Sequence, residues 1–236
     1  MTITERQGKI LSGITQEYIK SAQPIPSQLL EKKYNFKISP ATIRNEMQRL
    51  TDSGFLYQPY TSAGRVPTDK GYRFFVDSLL EEGISKFKDV FEVEAMLQEE
   101  GEDVLKLVAH LSKFLATASS NLAIIHLFEK DFFWKEGWEQ VLKEPEFEER
   151  NFIAGFTKLL QRFEKNIKDF PINSEIKIYI GRENPFFRVQ DFSIISIKCS
   201  FPSREEGIIS LLGPKRMSYR RNISLINSIV KTLEEF

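Results

Sequence analysis

Between residues 41 and 49, one short stretch gathers side chains able to read base edges: Ala41, Arg44, Asn45, Gln48 and Arg49. An arginine forks onto the two acceptors of guanine, and asparagine or glutamine matches the donor–acceptor pair of adenine. At about 100° per residue these five fall on one side of a helix or its flanks, while Ile43, Met47 and Leu50 at i, i+4 and i+7 take the other. A solvated helix face can have the same composition, so the surrounding elements must decide between the two.

Those elements are ordered in a telling way. Thr4 and Gln7 form a capping box before Ile10, Leu11, Ile14, Tyr18 and Ile19, which predicts an amphipathic helix over 5–20. Gln23-Pro24-Ile25-Pro26 stops it. Ser27 then caps a short second helix with Leu29, Leu30 and Tyr34 as its buried side. Ser39-Pro40, a capping hydroxyl before a proline, opens the third helix over 40–53. Gly54 ends it, and Phe55-Leu56-Tyr57 alternates into a strand. A polar loop, 60–65, carries Gly64 at its tip for a turn with positive φ and leads to Val66-Pro67 and a fourth helix opened by Thr68-Asp69. Three helices followed by strand, loop and strand is the order of a winged helix-turn-helix, with the third helix in the major groove and the loop along phosphates or the minor groove. Lys70 and Arg73 stay open between phosphate contact and solvation.

The strings Ser39-Pro40-Ala41-Thr42-Ile43-Arg44-Asn45-Glu46-Met47 and Gln58-Pro59-Tyr60-Thr61-Ser62-Ala63-Gly64-Arg65-Val66-Pro67-Thr68-Asp69-Lys70-Gly71-Tyr72-Arg73-Phe74 resemble the heat-inducible transcription repressor HrcA family. The resemblance implies a repressor that binds an inverted-repeat operator ahead of chaperone operons as a homodimer, with the chaperonin as a partner. Helix face and resemblance together assign base reading to Arg44, Asn45 and Gln48. They assign phosphate contacts to Ser39, Thr42 and Arg49, and wing contacts to Thr61, Ser62 and Arg65.

Beyond residue 82, helical spacing over 90–119 is interrupted by Glu99-Glu100-Gly101-Glu102-Asp103, so two helices are expected. Residues 121–128 read as a buried strand, 129–170 as two helices broken near Glu144-Pro145, and 176–181, 192–197 and 207–214 as strands. A helix from Met217 closes the chain. Ile180-Gly181-Arg182-Glu183-Asn184-Pro185, the strand over 191–196 and Gly213-Pro214-Lys215-Arg216-Met217-Ser218-Tyr219 resemble the end of the family's GAF-like domain. Family members carry a dimerisation domain inserted within that GAF-like core; the resemblance implies that here, in the helical-reading residues 129–175 between the first core strand and the strand at 176, it is absent or replaced. The expected fold is α+β: a winged-helix DNA-binding domain over 1–82, a linker and helix over 83–102, and a shortened GAF-like regulatory and dimerisation domain over 103–236.

Composition excludes much else. The 33 basic and 33 acidic side chains cancel, yet they are distributed as a basic head, an acidic middle and a mildly basic tail. One cysteine, Cys199, rules out an internal disulfide framework and reads as a small buried residue. His110 and His126 have no companion ligand and read as packing or surface residues. Arg216, Arg220 and Arg221 stay open between solvation, pairing with the acidic middle and DNA contact. No nucleotide-loop, zincin or nucleophile-elbow motif occurs, so neither an enzyme nor a cofactor is expected. No run nears the length of a membrane span, and a cytoplasmic protein is expected. Two rival readings are a metabolite-sensing regulator and a protein-binding winged helix.

Overall fold

The computed structural model describes residues 3–84, 87, 91–184 and 190–236 and divides into two compact units, Met1–Gly83 and Ile84–Phe236. Parts of the expected boundary region (85, 86, 88) and the residues Val90 and Pro185 lie outside the described residues.

In the first unit, α1 (Glu5–Ser21) starts on the expected capping box. Thr4 Oγ1 accepts from the Gln7 N–H at 3.3 Å, and Gln7 Oε1 accepts from the Thr4 N–H at 2.9 Å. α2 (Ser27–Lys33) follows Pro26 as its cap; Ser27, expected in that role, is instead its first residue and is buried. α3 (Pro40–Asp52) is capped by Ser39, whose Oγ accepts from the Thr42 N–H at 3.2 Å. Ile10, Leu11 and Ile14 of α1, Leu30 of α2 and Ile43, Met47 and Leu50 of α3 form one core cluster. Each such aliphatic side chain contributes about 1.5–3 kcal/mol by leaving water. Glu17, buried on α1, binds α2 by accepting from Lys33 Nζ at 2.5 Å and from the Tyr34 hydroxyl at 3.1 Å.

β1 (Leu56–Tyr57) and β2 (Val66–Pro67) pair antiparallel and lead into α4 (Asp69–Glu81), capped by the Thr68 hydroxyl. The loop between the strands differs from expectation at its glycine. Gly64 is not among the positive-φ residues. Its role is close approach: Ile25 and Arg65 form an antiparallel bridge with reciprocal N–H···O bonds of 2.9 Å, and a Cβ on Gly64 would lie 2.3 Å from the Ile25 carbonyl carbon. The preceding helix does end on a positive-φ glycine, Gly54, at φ +76°.

The second unit is a five-stranded antiparallel sheet in the order β4-β3-β7-β6-β5, with β3 Leu122–Leu127, β4 Phe132–Glu136, β5 Lys177–Ile180, β6 Phe192–Phe201 and β7 Glu205–Pro214. α5 (Phe91–Glu100) falls within the segment expected as linker and helix and packs on α6 (Val104–Ser119) and α9 (Tyr219–Glu235). α6 and α9 lie against β3, β4 and β6. A second cluster joins Leu122, Ile124, Phe192, Ile194, Ile208 and Leu212 to Phe156, Leu159, Leu160 and Phe163 of α8 (Arg150–Asn166). Strand alternation puts these sheet residues on one face, so helices cover the sheet on both sides.

The stretch expected as two helices over 129–170 holds β4 first. Phe132, Phe133 and Trp134 pair with Leu127, His126 and Ile125, because a run of aromatics beside an open sheet edge fits a strand better than a helix. Between β4 and α8 lie a four-residue helix, α7 (Trp138–Val141), and a single 3-10 turn, Pro145–Glu148. Arg216 adopts the second of its open readings: it is buried and donates to Glu146 at 2.5 and 2.9 Å and to Glu144 at 2.5 Å. Burial alone would lower its pKa, but the two carboxylates outweigh that and raise it. Arg221 donates to the Ser119 carbonyl at 2.7 Å, at the end of α6. Cys199 is buried, which pushes its thiol pKa up, and His126 is buried with Nε2 3.1 Å from Asp131.

Candidate nucleic-acid interface

The face built from α3 has the exposure its periodicity demands. Ile43, Met47 and Leu50 are buried, while Ala41, Arg44, Asn45, Gln48 and Arg49 are exposed. The Arg44 and Asn45 side chains make no hydrogen bond or ion pair with another described residue, so both are available for an outside partner. Arg49 lies 3.3 Å from Glu46. Glu46 itself is buried and accepts from Gln7 Nε2 at 2.9 Å, which ties α3 to the start of α1. The Ser39 and Thr42 hydroxyls pair with each other at 3.0 Å, so at most part of their capacity is free for a phosphate.

Gln48 is engaged at both ends of its amide. Nε2 donates to Asp52 Oδ1 at 2.7 Å, and Oε1 accepts from Arg65 Nη2 at 2.9 Å. Arg65 Nε donates to Thr51 Oγ1 at 2.9 Å, so the guanidinium lies along α3. The structure thus brings Gln48 and Arg65 together, and it places Thr61 and Ser62 on an exposed loop, their side chains without partners among the described residues. Gln58 shapes that loop by donating to the carbonyls of Thr61 and Ala63 at 2.8 and 2.9 Å.

Lys70 and Arg73 both have partners within the protein. Lys70 Nζ donates to the Ser53 carbonyl at 2.9 Å and sits 4.0 Å above the Phe55 ring; Arg73 lies 3.3 Å from Asp77. A cation on the last carbonyls of α3 also complements the negative end of that helix. Sequence reasoning assigned no role to Gln58, Thr51 or the Gln7–Glu46 pair. Thr51 meets Arg65 across 14 residues and Gln7 meets Glu46 across 39, contacts that no local pattern encodes; Gln58 acts within its own loop and stands in the string that carried the resemblance. Among the described residues no cluster of His, Cys, Asp and Glu could hold a metal ion, and no helix is long and apolar enough to cross a membrane.

Comparison with known proteins bears on both units. The family model described as HrcA protein C terminal domain matches residues 73–223. The heat-inducible transcription repressor HrcA of Natranaerobius thermophilus is 30% identical, with 99% of this chain and 96% of that protein covered. That alignment runs over 334 positions against a chain of 236 residues, so the relative contains residues with no counterpart here. The protein of the same name from Alkaliphilus metalliredigens is 59% identical over 81 residues, 34% of this chain and 24% of that one. A crystal structure described as a hypothetical protein at 2.2 Å resolution shares the fold, with a TM-score of 0.81 at 21% identity and coverage of 99% of this chain and 98% of that one. On the family model and the full-length relatives together, the chain belongs to the HrcA family, whose curated members are named heat-inducible transcription repressors.

Proposed function

We propose that the chain is a sequence-specific DNA-binding transcription repressor of heat-shock genes, and that it binds an inverted-repeat operator as a homodimer. The first unit acts as a winged helix: α3 enters the major groove and the β1–β2 loop follows the backbone beside it. The observation that carries this reading is the exposed face of α3, on which the Arg44 and Asn45 side chains have no partner among the described residues while the apolar side is fully committed to the core. Arg44, Asn45 and Gln48 read bases; Ser39, Thr42 and Arg49 lie at phosphates; Thr61 and Ser62 contact the backbone from the loop. The second unit, GAF-like in its layered sheet, supplies dimerisation, and the chaperonin implied by the family resemblance modulates the active form. Binding, not catalysis, is the activity.

The test is binding of the purified chain to an inverted-repeat duplex and to a half-site-scrambled one across a salt series. The expected result is two protomers per duplex and a preference for the intact repeat of about 10³ or more. Arg44→Ala costs about 1–3 kcal/mol on the intact repeat and relaxes one base position. Equal weak binding to both duplexes, or an equal loss on both with Arg44→Ala, would overturn the proposal.

A further inference from the structure

We infer that Arg65 is a positioning residue that fixes the amide of Gln48, and that Gln48 thereby reads adenine. The inference rests on the proposed DNA-binding function and deepens it. A glutamine amide offers two N–H donors and two oxygen lone pairs. In this structure one lone pair takes the bond from Arg65 Nη2 at 2.9 Å, and one N–H goes to Asp52 Oδ1 at 2.7 Å. One donor and one acceptor remain, on an exposed side chain.

The orientation is set by opposite charges. Turned over, the amide would put its NH2 against the guanidinium and its oxygen against the carboxylate, two repulsions in place of two charge-assisted bonds. Arg65 is itself held. Its Nε donates to Thr51 Oγ1 at 2.9 Å, and the Thr51 hydroxyl in turn donates to the Met47 carbonyl at 2.9 Å, so donors and acceptors balance along the chain. Its backbone N–H and C=O are both bonded to Ile25.

An amide held this way discriminates. In the major groove adenine presents an acceptor beside a donor, guanine two acceptors, thymine an acceptor beside a methyl, and cytosine a donor. Adenine alone satisfies the remaining N–H and the remaining lone pair together. A free glutamine can turn over and meet several base edges; this one cannot without breaking two bonds. Among the described residues, nothing restrains the Arg44 and Asn45 side chains in this way.

The experiment is selection from a randomised duplex library with the full chain, followed by sequencing of the bound fraction. Wild type is compared with Gln48→Ala, Arg65→Met and Asp52→Leu, each checked by circular dichroism for an intact fold. Wild type is expected to favour adenine about 5- to 150-fold at one position per half-site. Gln48→Ala identifies that position by erasing the preference. Arg65→Met and Asp52→Leu are each expected to reduce it to within about threefold at that same position and to leave the other positions unchanged. Asp52 is exposed at the end of α3, so its variant tests the lock even if Arg65→Met folds poorly. Uniform loss of affinity in Arg65→Met with every base preference intact would overturn the inference, since the guanidinium would then serve the DNA backbone. A Gln48→Ala profile identical to wild type would overturn it as well. Failure of wild type to enrich any sequence would instead overturn the DNA-binding function, and this inference with it.

Discussion

Replacing Gly64 with alanine separates steric approach from backbone preference. The added Cβ would lie 2.3, 2.4 and 2.7 Å from the carbonyl carbon, oxygen and nitrogen of Ile25, all backbone atoms that no rotamer change can move aside. The bridge between Ile25 and Arg65 must therefore part, with loss of two bonds of 2.9 Å each. At about 0.5–1.5 kcal/mol net per bond, this costs about 1–3 kcal/mol. Ile25 is 2% exposed in the core of the first unit, and its displacement adds about 1 kcal/mol. The sum, about 2–4 kcal/mol, lowers the midpoint of a domain of this size by roughly 10–30 °C. Both tryptophans, Trp134 and Trp138, belong to the second unit, so their emission follows that unit alone, while far-ultraviolet circular dichroism follows both. The expected outcome for the full chain is an early dichroism transition that moves down and a tryptophan transition that stays. Gly54→Ala serves as control: at φ +76° with nothing within 4 Å, it costs only the left-handed backbone penalty of about 1–2 kcal/mol. A Gly64→Ala midpoint within a few degrees of wild type would refute the close-approach argument.

Two further perturbations test the polar links inside each unit. Burial pushes the Glu17 carboxyl up, but hydrogen bonds from Lys33 and Tyr34 and the charge of Lys20 outweigh it and hold the pKa below the ordinary carboxylate range; Tyr34 is in turn pushed up to about 12, by burial and by Glu17. A depressed folded pKa gives stability that is present above the unfolded value and lost as pH falls through the folded one. The first unit should therefore weaken on acidification, and Glu17→Gln should flatten that dependence at a cost of about 1–2 kcal/mol near neutrality, the half-exposed Lys33 limiting the loss. An acid profile unchanged by the substitution would count against it. Arg216→Met leaves Glu144 and Glu146 without their shared cation; because each is about a quarter exposed and can rehydrate, the expected loss is about 2–3 kcal/mol in urea unfolding followed by tryptophan emission. An unmoved midpoint would show that the pair contributes no net stability.

What could be read from the chain alone depended on how local the cause was. The face of α3 was legible because Ile43, Met47 and Leu50 repeat at helical spacing and Ser39-Pro40 marks the start. β4 was not: Phe132, Phe133 and Trp134 stand among charged residues that break any alternation, and their strand state comes from the open edge of β3. Gly64 was legible as a required glycine but not for its reason, which lies with Ile25, far off in the sequence. The polar links were hidden for the same cause. Gln48 and Arg65 are separated by 17 residues and Gln7 and Glu46 by 39, and nothing in the spacing of polar side chains announces which will meet. The base-reading candidates were therefore visible as residue types, while the bonds that hold one of them in place were not.

Helix α3 is moored on three sides: to α1 through Gln7 and Glu46, to the strand loop through Arg65 with Thr51 and Gln48, and to α4 through Lys70 on the Ser53 carbonyl. A helix so fastened has little freedom to fray by itself, and its exposed face exists only while the unit around it is intact. The surface arrives already ordered, so an encounter with a partner surrenders little conformational entropy. The same moorings make its loss collective: when heat opens one tie the others are strained together, and the exposed face disappears as a whole rather than residue by residue.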